Sequence, residues 1–419
     1  MEKQFFINKR KEVMKDMKDG SIVLLFAGRA PYKSADEIYR FTPNRNFYYL
    51  TGIDRENIIL MMHKRNGQVF ETLYIEKNDP ILARWIGEKM PETEARELSG
   101  VEDIKYLESF DDDFGFLFMR YVYNDLYLDL ERAEWDIPMT KSQEFAKLAK
   151  EKYPFINIKN IYHKICDMRI IKSEEEIEAI RKAAKITEDG IYKMIDNLKP
   201  GMMEYEIEAY FDFVLTSNGV RDRAFKTIAA SGKNGAILHY STNNCKTKDG
   251  DLILFDLGAQ YKYYNGDISR TFPLNGKFTE RQRDVYNVVL RTNKAITDMI
   301  KPGVTFGELN KKSREILAEG CIELGLIKDK KELSKYYFHS IGHYLGLDDH
   351  DVGQDRVLEP NMVITNEPGL YIPEEGIGIR IEDDLVVTKD GCEDLTKDMI
   401  KEVDEIEAYM AKHNKWITK

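Results

Sequence analysis

The sequence predicts an α/β (α+β) protein in two parts: a mixed α/β domain over residues 1–165 and a second domain over residues 166–419 made of two similar halves. Three observations predict this. Short β-rich runs alternate with helical stretches in the first part. A plan of helix, Lys-Pro-Gly, helix and hairpin occurs twice in the second. Acidic residues stand at matching places in the two hairpins, the trace of a duplication about a pseudo-two-fold.

With 419 residues the chain can hold two or three domains with real cores. At 42% hydrophobic and 32% charged residues it reads as neither disordered nor fibrous. A net charge of -11 argues against nucleic-acid binding, which rests on Lys and Arg contacts to phosphates. No apolar run reaches the length of a membrane span, and the charged N-terminus has no signal-peptide core. The cysteines Cys166, Cys245, Cys321 and Cys392 are far apart and read as reduced thiols of a cytoplasmic protein. No glycine-rich nucleotide fingerprint occurs.

In the first part, residues 22–26, 58–62, 69–75 and 126–130 read as strands, and residues 141–152 as a helix. The aromatic run from Arg45 to Gly52 reads as a core strand ending in a turn. The boundary between the parts falls near residues 162–172. Ser173 and Glu176 then form a capping box that opens a helix with Ile177, Ile180, Ala184, Ile191 and Met194 on its apolar face. Lys199-Pro200-Gly201 stops it, and a second helix carries Ile207, Tyr210, Phe211 and Val214 to an end at Asn218-Gly219. About a hundred residues later the plan recurs. Thr279 and Gln282 are the capping box, Val285, Val288, Val289, Ile296 and Met299 the apolar positions, and Lys301-Pro302-Gly303 the stop. The last helix carries Leu309, Ile316, Leu317 and Leu324 to Gly325.

A candidate hairpin follows each helix pair. The first, residues 252–273, puts Asp256 and Asp267 into runs that otherwise look like buried strand. Aspartate is depleted in strands, and a buried, unpaired carboxylate is costly. One such pair would ordinarily sit at strand ends facing water. The second hairpin, with Glu367 and Glu382, makes a metal cradle the stronger reading. Pairing Glu367 with Glu382 centres the turn on Glu374-Glu375, within the turn-like Pro373-Glu374-Glu375-Gly376. Pairing Asp256 with Asp267 centres the other turn on Tyr261-Lys262. Asn265-Gly266, turn-like by local rule, then becomes an irregularity that aims Asp267.

Four carboxylates balance two divalent cations. A fifth ligand can come from His339-Ser340-Ile341-Gly342-His343, which lacks the glutamate of the zincin motif. One imidazole among four carboxylates is a hard, oxygen-rich set that suits manganese or another octahedral-capable ion better than structural zinc. Acids from opposite hairpins could bridge two ions about 3.5–4 Å apart and hold a hydroxide between them. Of seven histidines, His339, His343 and His350 cluster in the sequence. With His239 they are candidates to stabilise an oxyanion or hold a substrate carbonyl. Arg380 lies two positions before Glu382, on the same strand face, where it can orient a carboxylate or substrate or form a plain ion pair.

Together, Asp256, the run from Gly266 to Thr271, the run from His339 to Gly353, Glu367-Pro368-Gly369 and the run from Gly378 to Asp383 resemble the proline-specific metallopeptidases of the pita-bread fold. The resemblance is to Xaa-Pro aminopeptidases (aminopeptidase P) first and Xaa-Pro dipeptidases (prolidases) next. Ser34-Ala35-Asp36 and the run from Asn46 to Gly52 resemble that family's N-terminal domain. The resemblance implies a creatinase-like N-terminal domain, a pita-bread catalytic domain and two divalent metal ions, usually Mn2+. It implies that Asp256 chelates one ion, that His343 and Glu367 bind the other, and that Asp267 and Glu382 bridge them. Glu367 would also help deprotonate the nucleophilic water. His239 and His350 would contact substrate and stabilise the intermediate, His339 would line the pocket, and Arg380 would support the ligands. Arg356, in the loop Gly353-Gln354-Asp355-Arg356, resembles a pocket arginine on a longer loop, and Trp85 resembles a residue lent to a neighbouring subunit's site. The implied reaction removes the residue preceding a proline at the N-terminus of a peptide, by attack of a metal-bridging hydroxide. A homodimer or homotetramer is implied as well. A prolidase would share the chemistry but act on dipeptides. A non-catalytic peptide-binding module, or a metal-free creatine-type hydrolase, would lack several of the five ligands, all of which are present.

Overall fold

The computed structural model describes residues 1–353 and 356–417. The chain divides into two compact units, Met1–Met168 and Arg169–Lys419. In the first, six strands form one mixed sheet in the spatial order Asp103–Tyr106, Gln68–Ile75, Ile59–Arg65, Ser21–Phe26, Asp125–Leu128 and Asn157–Asn160. The four expected strands are all present with ends displaced by a few residues. The helix Lys141–Lys152 runs as expected from a capping box of Thr140 with Gln143.

The run beginning at Arg45 departs from expectation: it is the helix Arg45–Thr51, not a strand. The Asn44 side chain accepts a hydrogen bond from the Phe47 N–H at 2.8 Å, and Gly52 ends the helix in the left-handed region at φ 70°. Every residue from Asn46 to Thr51 is buried, so no polar face marks a helical period.

In the second unit, capping boxes at Ser173, Thr279 and Thr305 open the helices Glu174–Asn197, Glu280–Met299 and Phe306–Glu323; Glu204–Ser217 completes the set. They pack as two pairs, one from each half. One apolar core joins Ile191 and Phe211 of the first pair and Val289 of the second to Phe255, Phe272 and Ile379 of the hairpins. The apolar faces read from the sequence are therefore the faces that grip the hairpins.

Both hairpins are interrupted at mid-length. In the first, Leu252–Leu257 pairs with Ile268–Pro273 and, beyond a break, Gln260–Tyr261 pairs with Tyr264–Asn265. In the second, Val363–Asn366 pairs with Asp383–Val387 and, beyond a break, Gly369–Ile372 pairs with Ile377–Arg380. The second register is the expected one, with its turn at Pro373–Gly376. The first corrects the expectation by one residue at the turn. Asp256 opposes Ser269 rather than Asp267, and the turn residues are Lys262 and Tyr263, at φ 49° and 66°. Asp267 lies two positions before Ser269, so both aspartates keep the same face. Asn265-Gly266 is irregular, as expected. Gly266 is required by close approach: a Cβ there would meet the backbone of Ala183 and Ala184 in the neighbouring helix.

Gly266→Ala should therefore destabilise the protein by roughly 1–3 kcal/mol, the usual cost of overpacking. Urea unfolding measures this, and an unchanged midpoint would contradict the close approach.

Candidate active site

The two breaks and the segment from His339 to His350 meet at one cavity of about 580 Å3. Asp256, Asp267, His343, Glu367 and Glu382 all line it, as do His239, His339, His350 and Arg380. Hydrogen bonds across the two hairpins bring the acids there. The Asp267 N–H donates to Asp384 at 3.1 Å, and the Glu382 N–H to the Ser269 carbonyl at 3.0 Å. Arg270 donates to the Glu382 carbonyl at 2.5 Å.

Arg380 sets the acids' orientation. Its guanidinium donates to Asp256 at 2.5 Å, to the Ser269 hydroxyl at 2.8 Å and to the Tyr371 hydroxyl at 2.9 Å. The Ser269 hydroxyl in turn donates a hydrogen bond to Glu382 at 2.7 Å. Arg380 thus holds one carboxylate directly and a second through a hydroxyl. Behind it, Asp383 accepts from Arg270 and Lys401, each at 2.6 Å, and from Asn293 at 2.9 Å.

The histidines are equally fixed. His343 Nδ1 lies 2.9 Å from the Tyr344 carbonyl, where only a donor is satisfied, so Nε2 carries the lone pair. That Nε2 is 3.4 Å from Asp267 and 3.8 Å from Glu367. The His350 ring stacks on His343 with centroids 3.9 Å apart and 11° between planes. Ion pairs pin the segment that carries them: Asp351, buried, to Arg169 at 2.6 Å and to Lys172 at 2.9 Å, and the more exposed Asp348 to Arg169 at 2.5 Å.

Burial, then the Glu382 charge, pushes the Asp267 carboxyl well above the usual range; burial, then Glu367, does the same to Glu382. Burial lifts Glu367 to about 8, with Arg380 opposing and Asp256 adding. The imidazoles move the other way: burial lowers both His339 and His343 to about 4, assisted by Arg380 and His350 respectively. The raised carboxyls mark negative charge that a cation would relieve, and the neutral imidazole leaves a lone pair to bind one. Two further observations fit a metal. Asp267 Oδ1 is buried with no hydrogen-bond partner among the described residues. Asp267, His343 and Glu382 each offer a ligand atom within 4.8 Å of the others.

One acid of the cavity escaped the sequence reading. Asp349 lines it and is raised to about 7 by burial and then by Asp256. Two other expected residues are not among those that line the cavity. Arg356 lies 3.5 Å from Glu359 and is not among the cavity's lining residues; its neighbours Gln354 and Asp355 lie outside the described residues. Trp85 belongs to the short helix Ala83–Ile86 of the N-terminal unit and is 83% exposed.

The family model of metallopeptidase family M24 matches residues 178–389, and that of the aminopeptidase P N-terminal domain matches residues 6–123. An Xaa-Pro aminopeptidase of Escherichia coli is 35% identical over 97% of this chain and 98% of its own. A Bacillus anthracis structure assigned as an aminopeptidase P superposes with TM-score 0.97 at 52% identity, covering 99% of this chain and all of the other. The zinc-substituted Escherichia coli aminopeptidase P in complex with product superposes with TM-score 0.91 at 32% identity, covering 99% of each chain. The chain belongs to metallopeptidase family M24. Within that family it is a hydrolase of the pita-bread Xaa-Pro aminopeptidase group. No helix among the described residues is long and apolar enough to cross a membrane.

Replacing Asp383 with Asn should leave Arg270, itself fully buried, without its counter-charge, at a cost of roughly 3–5 kcal/mol. Burial opposes the Asp383 charge, but Arg270 and Lys401 outweigh it and hold the carboxyl below the usual range. The contribution is therefore complete above the unfolded carboxylate pKa and lost as pH falls through the lower folded one. Urea unfolding should show a large gap between wild type and variant at neutral pH that narrows in acid.

Proposed function

We propose that this cavity holds two divalent ions, Mn2+ in the cell, and hydrolyses the bond between an N-terminal residue and proline. The observation that carries the reading is the convergence of four carboxylates and one neutral imidazole on a single cavity. Asp256 would hold one ion, His343 and Glu367 the other, and Asp267 and Glu382 both. Bound there, the ions would polarise the scissile carbonyl and lower the pKa of the attacking water. Glu367 is the group to take that water's proton and return it to the departing proline nitrogen. His239 and His350 line the same cavity and would face the carbonyl oxygen of the first residue, supplying hydrogen bonds as charge develops on it. His339 would form the wall beside the proline ring, while Arg380 keeps Asp256 aimed. An Xaa-Pro bond has no N–H to recognise, so shape must replace a hydrogen bond at that position.

A cytoplasmic homodimer or homotetramer is part of the same reading. Trp85, 83% exposed, would be lent to a neighbouring copy's site, and Arg356 would meet substrate once it is bound. The N-terminal domain would comprise residues 1–165 and the catalytic domain residues 166–419. A dipeptidase is the alternative within the same chemistry.

Chelation should abolish turnover of both Xaa-Pro and Xaa-Pro-Yaa peptides, and added manganese should restore it. Tripeptide cleavage favoured over dipeptide supports the aminopeptidase; the reverse preference supports the prolidase. Asp267→Ala should retain at most one ion per chain by elemental analysis, and two ions per chain in that variant would refute the bridging role. Sedimentation of the wild type bears on Trp85: a strict monomer would remove its role in a neighbour's site.

A further inference from the structure

We propose that Lys226 is a specificity residue that receives the free C-terminal carboxylate of short peptide substrates at the mouth of the cavity. The inference rests on the reading above, in which the substrate's N-terminal end lies among the acids. Among the described residues the lining includes Asp349 besides the four acids assigned to the metals, but only two permanent cations, Lys226 and Arg380. Arg380 is buried and committed to Asp256, Ser269 and Tyr371. Lys226 is exposed and makes no hydrogen bond or ion pair among the described residues. Its ammonium is therefore uncommitted where it lines the cavity.

Its place in the chain gives the reach. Ile228 pairs directly with Asp256, and Lys226 precedes Ile228 by two positions; both line the cavity. Two residues of extended chain span roughly 7 Å, and a di- or tripeptide spans about 7–11 Å, so a carbonyl near Asp256 leaves the C-terminus of a short substrate within reach of the lysine side chain. The segment is also held in place. Asn243 donates to the Thr227 carbonyl at 2.8 Å and to Glu208 at 2.9 Å, which fixes the backbone next to Lys226 and leaves its side chain unconstrained. An ammonium at a wet rim recognises charge more than shape, so the partner is a carboxylate and not a particular side chain.

The test compares an Xaa-Pro-Yaa peptide having a free C-terminus with its C-terminal amide, on the manganese-loaded full chain. The wild type should prefer the free acid. In Lys226→Met the ratio of kcat/KM for acid over amide should fall roughly three- to tenfold, the scale of a screened ion pair, carried by KM. Lys226→Arg should keep the preference. Equal ratios in the wild type and Lys226→Met, with both peptides cleaved, would overturn the role of Lys226 alone. Failure of the wild type to cleave either peptide would overturn the peptidase reading and this inference with it.

Discussion

The crowding of carboxylates in one buried cavity is the constraint on which the second unit depends. Asp256, Asp267, Asp349, Glu367 and Glu382 share it, and burial with the neighbouring charges makes ionisation of Asp267, Asp349, Glu367 and Glu382 more costly. The protein compensates from behind. Arg380 faces Asp256, Arg270 and Lys401 face Asp383, and Arg169 and Lys172 face Asp351. Of these cations only Arg380 is among the cavity's lining residues; Arg270, Lys401, Arg169 and Lys172 are not. The cavity itself still sets five carboxyl groups against two cationic side chains, Lys226 and Arg380, among the described residues.

The duplication is what makes such crowding geometrically possible. A regular hairpin spends its backbone polar groups on its own ladder. Here each ladder is broken beside its acids, and each half completes the hydrogen bonds of the other. Asp267 turns its N–H to Asp384, and Glu382 turns its N–H to Ser269. The acids are thus aimed by the partner hairpin, and neither half could place its pair alone. Gly378 serves the same crossing: a Cβ there would overlap the backbone of Gly235.

Much of this was legible in the sequence, for reasons that can be named. Asp256 and Asp267 stood out because aspartate is anomalous in an apolar strand. The second hairpin's register was readable because its turn, Pro373–Gly376, agrees with its pairing. The first was misplaced by one residue because Lys262 and Tyr263 adopt left-handed backbone without the Asn or Gly that usually announces it. Arg45–Thr51 was misread because burial on all sides erases a helix's period. Asp349 was hidden in Asp348-Asp349-His350-Asp351. Its neighbours are claimed by Arg169 and Lys172, some 180 positions earlier in the chain, and only that distant pairing leaves Asp349 for the cavity.

Hydrogen bonding separates two histidines that look equivalent in sequence. His339 and His343 each set Nδ1 against the carbonyl of the next residue, Ser340 and Tyr344, so each presents Nε2 as an acceptor. The difference lies in what Nε2 meets. For His343 it is Asp267 and Glu367, which donate nothing when ionised, so its lone pair is left for a cation. For His339 it is the Tyr371 hydroxyl at 2.9 Å. Arg380 donates to that same hydroxyl oxygen, so the tyrosine's own proton is left for His339. The chain of donors runs one way, from Arg380 to Tyr371 to His339 to the Ser340 carbonyl. With both ring nitrogens committed and burial holding the ring neutral, His339 has no free position from which to exchange a proton with substrate. His339 is thus locked into a hydrogen-bond chain, whereas His343 keeps an uncommitted lone pair beside Asp267 and Glu367.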